Sequence, residues 1–181
     1  CIGVVKQLSS SYDPLEVIPI NSLLPHRLTS FCKSYSARLI HFSTDCVFSG
    51  KEGNYKESHI PDASDLYGRT KILGELNYQD ALTIRTSFLG HQLDASFSLL
   101  EWFLSQEKTC HGYENAIYSG LPTIEVASVL KKYVLPNKKM SGLYHLSSKP
   151  INKFQLLSVI KKIYGLNLSI NRDKTVFINR S

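Results

Sequence analysis

Residues 38–45, Arg38-Leu39-Ile40-His41-Phe42-Ser43-Thr44-Asp45, decide the fold class. The run Arg38–Ser43 suits a strand, and it ends in the polar triplet Ser43-Thr44-Asp45 ahead of a loop containing Gly50 and Gly53. Outward from it, Asp65 to about Tyr78 reads as a helix with Leu66, Ile72, Leu73 and Leu76 apolar, and Ala81–Arg85 as the next strand. Upstream, the spacing of Leu23, Leu24, Leu28, Phe31 and Cys32 predicts a helix from Asn21, with Asn21 or Ser22 as cap and Pro25 in the first turn. Before it come a β-like run, Cys1–Val5, and a polar loop with Ser9-Ser10-Ser11 and Tyr12-Asp13-Pro14. Downstream, Phe97–Leu104 and Ile124–Leu135 read as helices, Gly142–Leu146 as a strand, and Asn152–Tyr164 as a final helix capped by Asn152. Such alternation predicts an α/β fold, a parallel sheet flanked by helices, whose ligands gather beyond the carboxyl ends of the strands.

Composition agrees with that class: 181 residues, 43% hydrophobic and 20% charged, are enough for a core without disulfide or metal staples. Cys1, Cys32, Cys46 and Cys110 are scattered and form no C-x-x-C pair, so reduced thiols in a cytoplasmic protein are expected. No apolar run approaches a membrane span, and the first residues lack the features of a signal peptide. The net charge of +6 lies in doublets such as Lys131-Lys132, Lys138-Lys139 and Lys161-Lys162, not in a basic stripe, so neither nucleic acid nor membrane is expected as a partner. The histidines His26, His41, His59, His91, His111 and His145 have no ligand spacing, and no metal site is expected. The only methionine is Met140, and the chain opens on an apolar run, so it reads as an interior piece.

Chemistry concentrates between Ser43 and Glu75. Tyr67 and Lys71 are four apart on one helix and share a face, where an ammonium near the phenol oxygen would favour phenolate and bring its pKa toward neutrality. With 10 tyrosines in the chain, about one Tyr-x-x-x-Lys spacing arises by chance, and one is present. Its context adds weight, because a strand ending in Thr44 and a helix carrying Tyr67 can hold two hydroxyls on one carbonyl oxygen. Arg85, at a strand end, suits a carboxylate partner, a helix terminus or an anion. Trp102 suits a helix core or a subunit contact.

The ordered set Ser43-Thr44-Asp45-Cys46-Val47-Phe48-Ser49-Gly50, Tyr55-Lys56-Glu57, Asp65-Leu66-Tyr67-Gly68-Arg69-Thr70-Lys71 and Gly74-Glu75 resembles extended short-chain dehydrogenases/reductases, above all the dTDP-4-dehydrorhamnose reductase branch. Ile84-Arg85-Thr86-Ser87 and Gly120-Leu121-Pro122-Thr123 continue the resemblance in family order, to about residue 150. It implies a Rossmann-like sheet, incomplete here, with residues 1–90 forming the later part of a dinucleotide-binding domain. Residues 91–181 would form mainly a substrate lobe, with segments returning to the main sheet.

The activity implied is NADPH- or NADH-dependent reduction of a 4-keto-6-deoxy nucleotide sugar for surface polysaccharide synthesis. The catalytic residues carried over are Thr44, which positions the ketone; Tyr67, which donates the proton; and Lys71, which lowers the phenol pKa and binds the nicotinamide ribose. NADP or NAD contacts would come from Ile2, Gly3, Ser43, Tyr67 and Lys71, and substrate contacts from Thr44, Asp45, Cys46 and Phe88. A nucleotide sugar is then the partner, and a homodimer one assembly open to the chain. Cys46 stands where the family usually has Tyr, and Phe88 where it has Trp, both facing the sugar nucleotide. No two glycines are separated by a single residue, so the fingerprint that cradles the cofactor pyrophosphate is absent from this sequence. The expectation is a chain without the first half of its cofactor domain, exposing a strand edge and inactive alone. The same scaffold also serves nucleotide-sugar epimerases and dehydratases, and non-catalytic regulatory homologues.

Overall fold

The computed structural model describes residues 2–92 and 98–181. At its centre three strands, β1 (Leu39–Ser43), β2 (Ala81–Arg85) and, from the far half of the chain, β7 (Gly142–His145), lie parallel in the order β1-β2-β7. Ser43 pairs with Arg85 and Arg85 with His145, so the strand ends are level and the polar residues after each face one edge of the sheet. β2 is buried along its whole length and β1 only partly, because among the described residues no strand pairs with the outer edge of β1. Leu82 and Ile84 of β2 pack against Val134, with Leu130 and Met140 around them, and this is the core under the sheet.

The first helical segment starts earlier than the apolar spacing predicts. Asp13 caps it, accepting from the Leu15 amide, and Pro14 occupies the first turn. α1 (Pro14–Ile18) runs through a π-helical turn, Pro19–Leu23, into α2 (Leu24–Ser34). Pro19 and Pro25 each lack an amide hydrogen inside this stretch, and the wider turn between them, closed by the Leu24 amide on the Pro19 carbonyl, absorbs the break. Asn21 therefore caps nothing. Its buried side chain donates to the Val4 carbonyl and accepts from the Val4 amide, both at 2.9 Å. Residues 2–5 form no strand, contrary to the β-like reading of Cys1–Val5; Cys1 itself lies outside the described residues.

α3 (Leu66–Leu73) ends at Gly74, one turn short of the predicted Tyr78, because the Leu76 amide turns away to the Thr83 hydroxyl on β2. The helix predicted from Phe97 is α4 (Leu99–Leu104), capped by Ser98; Phe97 falls outside the described residues. α5 (Thr123–Val129) continues through a second π turn, Leu130–Val134, and α6 (Lys153–Tyr164) is capped by Asn152 as predicted.

Short strands unseen in the sequence build the rest: β3 (Phe88–Leu89) on β6 (Leu121–Pro122), β4 (Thr109–Tyr113) on β9 (Ser169–Asp173), and a three-stranded sheet in the order β10-β5-β8, from β5 (Ala116–Tyr118), β8 (Ile151–Asn152) and β10 (Ile178–Asn179). α4 and α6 bury a second core of Leu100, Phe103, Leu156, Leu157 and Ile160 beside Cys110 and Leu168.

One ion pair ties the central sheet together at its functional edge. Arg85 donates through Nε and Nη2 to the two oxygens of Glu75, each at 2.7 Å, with side chains only 4% and 12% exposed. Ser43 donates to the same carboxylate at 2.7 Å, the Arg85 guanidinium lies over the Phe48 ring, and its Nη1 meets His145 Nε2 at 3.2 Å. Burial lowers the His145 pKa and keeps the ring neutral, able to accept there. Arg85 thus serves the carboxylate partner anticipated for it, and the group joins β1, β2, β7 and the segment after α3. Glu75→Gln leaves the guanidinium buried without a countercharge and should cost about 3–5 kcal/mol, read from a urea unfolding curve; a loss under about 1 kcal/mol would show the pair to be dispensable.

Candidate active site

Thr44 leaves β1 extended and caps a tight turn, Asp45–Val47, by accepting the Cys46 amide at 3.1 Å. Its hydroxyl donates to Asp45 Oδ1 at 3.1 Å, and Ser87, just past β2, donates to the same oxygen. Two strand ends thereby fix the orientation of Asp45 and Thr44. The Val47 carbonyl accepts from the amides of Asp62 and Ala63, which holds the approach to α3 against this turn.

Asp65 caps α3 by accepting the Gly68 amide at 3.0 Å and pairs with Lys6 at 3.0 Å, tying the segment that carries Ile2 and Gly3 to the start of the helix. Gly68 has no alternative here. A Cβ at that position would stand 2.7 Å from the Cys46 carbonyl oxygen, so only glycine lets α3 lie directly on the turn after Thr44. That contact carries the neighbouring Tyr67 to Thr44: the phenol of this half-buried residue lies within hydrogen-bonding reach of the Thr44 hydroxyl. One turn on, Lys71 is buried and donates to the Phe42 carbonyl of β1 at 2.7 Å. Thr44, Tyr67 and Lys71 therefore converge on the carboxyl end of one strand.

The electrostatics differ from the sequence expectation. Burial, reinforced by the Cys46 thiol and the carboxylates of Asp45 and Asp65, raises the Tyr67 phenol well above its ordinary value, with only the Thr44 hydroxyl opposing. Lys71 donates its ammonium to the Phe42 carbonyl and is itself drawn down to about 8 by burial, against the pull of Glu75. The phenol is accordingly a protonated donor at neutral pH.

The other predicted residues divide. Asp45 lines a cleft with Thr86, Ser87, Ser119 and Arg180, beyond the strand ends. Cys46 adjoins Tyr67, its thiol raised by burial and touched by Arg180 Nη1 at 3.7 Å. Phe88 is half-exposed and packs edge-on against Phe42. Ser43 gives its hydroxyl to Glu75, and Ile2 is 72% exposed beside Gly3. Lys153, Tyr118 and Arg180, absent from the sequence prediction, also approach this region. They sit on or beside short strands far along the chain and form no motif with Tyr67.

For a nicotinamide cofactor, the residues present fit one end. Lys71 has one carbonyl acceptor and further donors to offer ribose hydroxyls, next to the Thr44 and Tyr67 pair. They do not provide a pyrophosphate cradle. Gly50 and Gly53, both with positive φ, are filled by the last strand: a Cβ on either would overlap Ile178 or Asn179.

Among the described residues no group of histidines, cysteines or carboxylates could hold a metal ion, and no helix is long and apolar enough to cross a membrane.

A family model, RmlD substrate binding domain, matches residues 12–169. The spore coat polysaccharide biosynthesis protein SpsK of Bacillus subtilis is 30% identical over 142 residues, covering 74% of this chain and 49% of that protein. The crystal structure of a hypothetical dTDP-4-dehydrorhamnose reductase from Sulfolobus tokodaii superposes with a TM-score of 0.81 at 25% identity, covering 96% of this chain and 63% of that one. The dTDP-4-dehydrorhamnose reductase of Bacillus anthracis, solved in complex with NADP, gives a TM-score of 0.82 at 20% identity over 97% of this chain and 64% of that one, which shows the Rossmann-like fold. The chain spans about half the length, or less, of the curated relatives it matches. A match over most of its residues, on the fold and with the Thr44, Tyr67 and Lys71 geometry described, places this chain in the RmlD substrate-binding domain family.

Proposed function

We propose that the protein to which this chain belongs reduces a 4-keto-6-deoxy nucleotide sugar with NADPH or NADH, in the cytoplasm and for polysaccharide synthesis. The observation that carries this reading is the pair of hydroxyls, Thr44 and Tyr67, brought together at the carboxyl end of β1 with Lys71 one helical turn further on. The names of the B. subtilis and B. anthracis relatives support the substrate class, the biosynthetic role and the cofactor. Residues 1–90 would contribute to the cofactor domain and residues 91–181 mainly to the substrate lobe, although β7 belongs to the central sheet.

The ketone oxygen would sit between the Thr44 and Tyr67 hydroxyls, with the Thr44 hydroxyl turning its single proton from Asp45 to the ketone on binding. A reduced nicotinamide, when bound, supplies hydride chemistry. Tyr67, held protonated by its burial, gives its proton to the oxygen as negative charge develops there. Lys71 keeps a buried ammonium on the same helix to offset the resulting phenolate, and its remaining donors suit ribose hydroxyls. Asp45, Cys46 and Phe88 are assigned to the sugar nucleotide, and Ile2, Gly3 and Ser43 to the cofactor side.

In the full-length protein, Tyr67→Phe should lower the rate of NADPH oxidation with dTDP-4-dehydrorhamnose by about 100-fold or more while leaving the melting temperature in place. Unchanged turnover would remove the phenol from the mechanism. Product analysis separates reduction, in which cofactor is consumed in proportion to sugar, from epimerisation or dehydration, in which it is recycled. Lys71 is protonated below about 8, so kcat/KM should fall as pH rises through that value. In Lys71→Met that alkaline limb should vanish; its persistence would assign it to another group.

A further inference from the structure

At the amino ends of the central strands, opposite the edge that carries Thr44 and Tyr67, lies a surface to which the reading above gives no task. Residues 126–172 hold nine lysines and arginines and no aspartate or glutamate, while the rest of the chain carries twelve against fifteen, so the whole excess of positive charge belongs to this stretch. Two of its lysine doublets, scattered in the sequence, meet in the fold. Arg38, just ahead of β1, donates through Nη2 to the Val134 carbonyl at 2.8 Å and through Nη1 to the carbonyls of Asn137 and Met140 at 2.6 and 3.1 Å. One guanidinium thereby gathers the π turn Leu130–Val134 and the residues after it into a single knot ahead of β7.

The knot has an inner and an outer side. Leu130, Val134 and Met140 pack inward with Leu82 and Ile84. Lys131, Lys132, Lys138 and Lys139 are all exposed, and between the two doublets Tyr133 and Leu135 are 62% and 56% exposed. None of the four ammoniums has an ion pair among the described residues: Glu125 on α5 and Asp80 at the head of β2 both stay beyond ion-pair distance. Asp80 instead borders a groove with His26 and Lys33. Arg38 spends its donors on carbonyls, which leaves its charge uncompensated and adds to theirs. Like charges gathered without a counter-ion repel one another, and an anionic partner relieves that repulsion.

We propose that this face docks the protein on an anionic bilayer surface, with Lys131, Lys132, Lys138 and Lys139 among the lipid headgroups and Tyr133 and Leu135 at the boundary beneath them. Flexible lysines suit a diffuse plane of negative charge, whereas the arginine of the cluster, whose planar fork would hold a single phosphate, is used up inside the protein. A tyrosine and a leucine exposed between the cations can enter the headgroup layer, a gain that a purely ionic partner does not offer. The five residues of β1 put roughly 15 Å between Arg38 and Thr44, so the catalytic edge faces water, away from the bilayer. The docking face is independent of the chemistry assigned to Tyr67.

The test is co-sedimentation of the full-length protein with vesicles of phosphatidylcholine alone and with vesicles containing about one third phosphatidylserine, with melting curves to confirm that each variant folds. The wild type should pellet with the mixed vesicles and not with phosphatidylcholine, and should be released at about 0.5 M salt. Lys138→Gln combined with Lys139→Gln should weaken that binding by about tenfold or more. Lys161→Gln combined with Lys162→Gln removes the same charge from α6 and should bind as the wild type does. Equal losses in the two variants would show that binding follows net charge and would overturn the docking face. So would a wild type that pellets no better with phosphatidylserine than without it. Retention on duplex DNA or polyglutamate through Lys138 and Lys139, with no binding to vesicles, would give the surface to a nucleic acid or an acidic protein and overturn the bilayer assignment.

Discussion

The buried pair of Arg85 and Glu75 is the constraint on which the functional edge depends. A guanidinium taken from water is tolerable only with a matched carboxylate, and the bidentate geometry, the third bond from Ser43 and the Phe48 face supply that match. Meeting those demands fixes the ends of β1 and β2 and the exit of α3 relative to one another. Thr44 is the residue after Ser43, and Tyr67 and Lys71 lie on the helix just before Glu75. Their mutual placement follows from the same anchor.

A second layer of positioning is steric. Only a residue without a side chain permits the first turn of α3 to lie on the Cys46 carbonyl, and the amides of Asp62 and Ala63 on Val47 hold the incoming loop there. Tyr67 and the end of β1 are therefore brought together by main-chain contacts. The side chains that vary from the family pattern, Cys46 and Phe88, project from this frame without being needed to build it. On the function proposed above, such a division would let specificity change while the acid stays in place.

Much of this was legible in the sequence where periodicity and a motif coincided. β1, β2, β7 and α6 match their predicted spans to within a residue or two, since each is a local apolar pattern bounded by a clear cap or polar stop. Thr44, Tyr67 and Lys71 were legible because they lie on two adjacent elements within one stretch. The start of α1 was hidden by two prolines that local rules count as breaks and that a π turn accommodates. The fate of Asn21 could not be read, because capping and pinning a distant strand-like segment draw on the same amide. Lys153, Tyr118 and Arg180 meet only through a three-stranded sheet assembled from two- and three-residue strands, below the length at which alternation gives a signal. The upward shift of Tyr67 was not legible, because helix spacing shows that Lys71 shares a face with the phenol but not that burial outweighs any nearby charge.

The strand β10 occupies the hollows of Gly50 and Gly53, and Arg180 closes on Phe48, 132 positions earlier. Bringing such remote segments together costs closure entropy that is recovered only when the final contacts form. The wall carrying Cys46 therefore exists only when two remote segments are both docked. A slip in the register of β10 would open the cleft beside Asp45 while leaving the central sheet untouched.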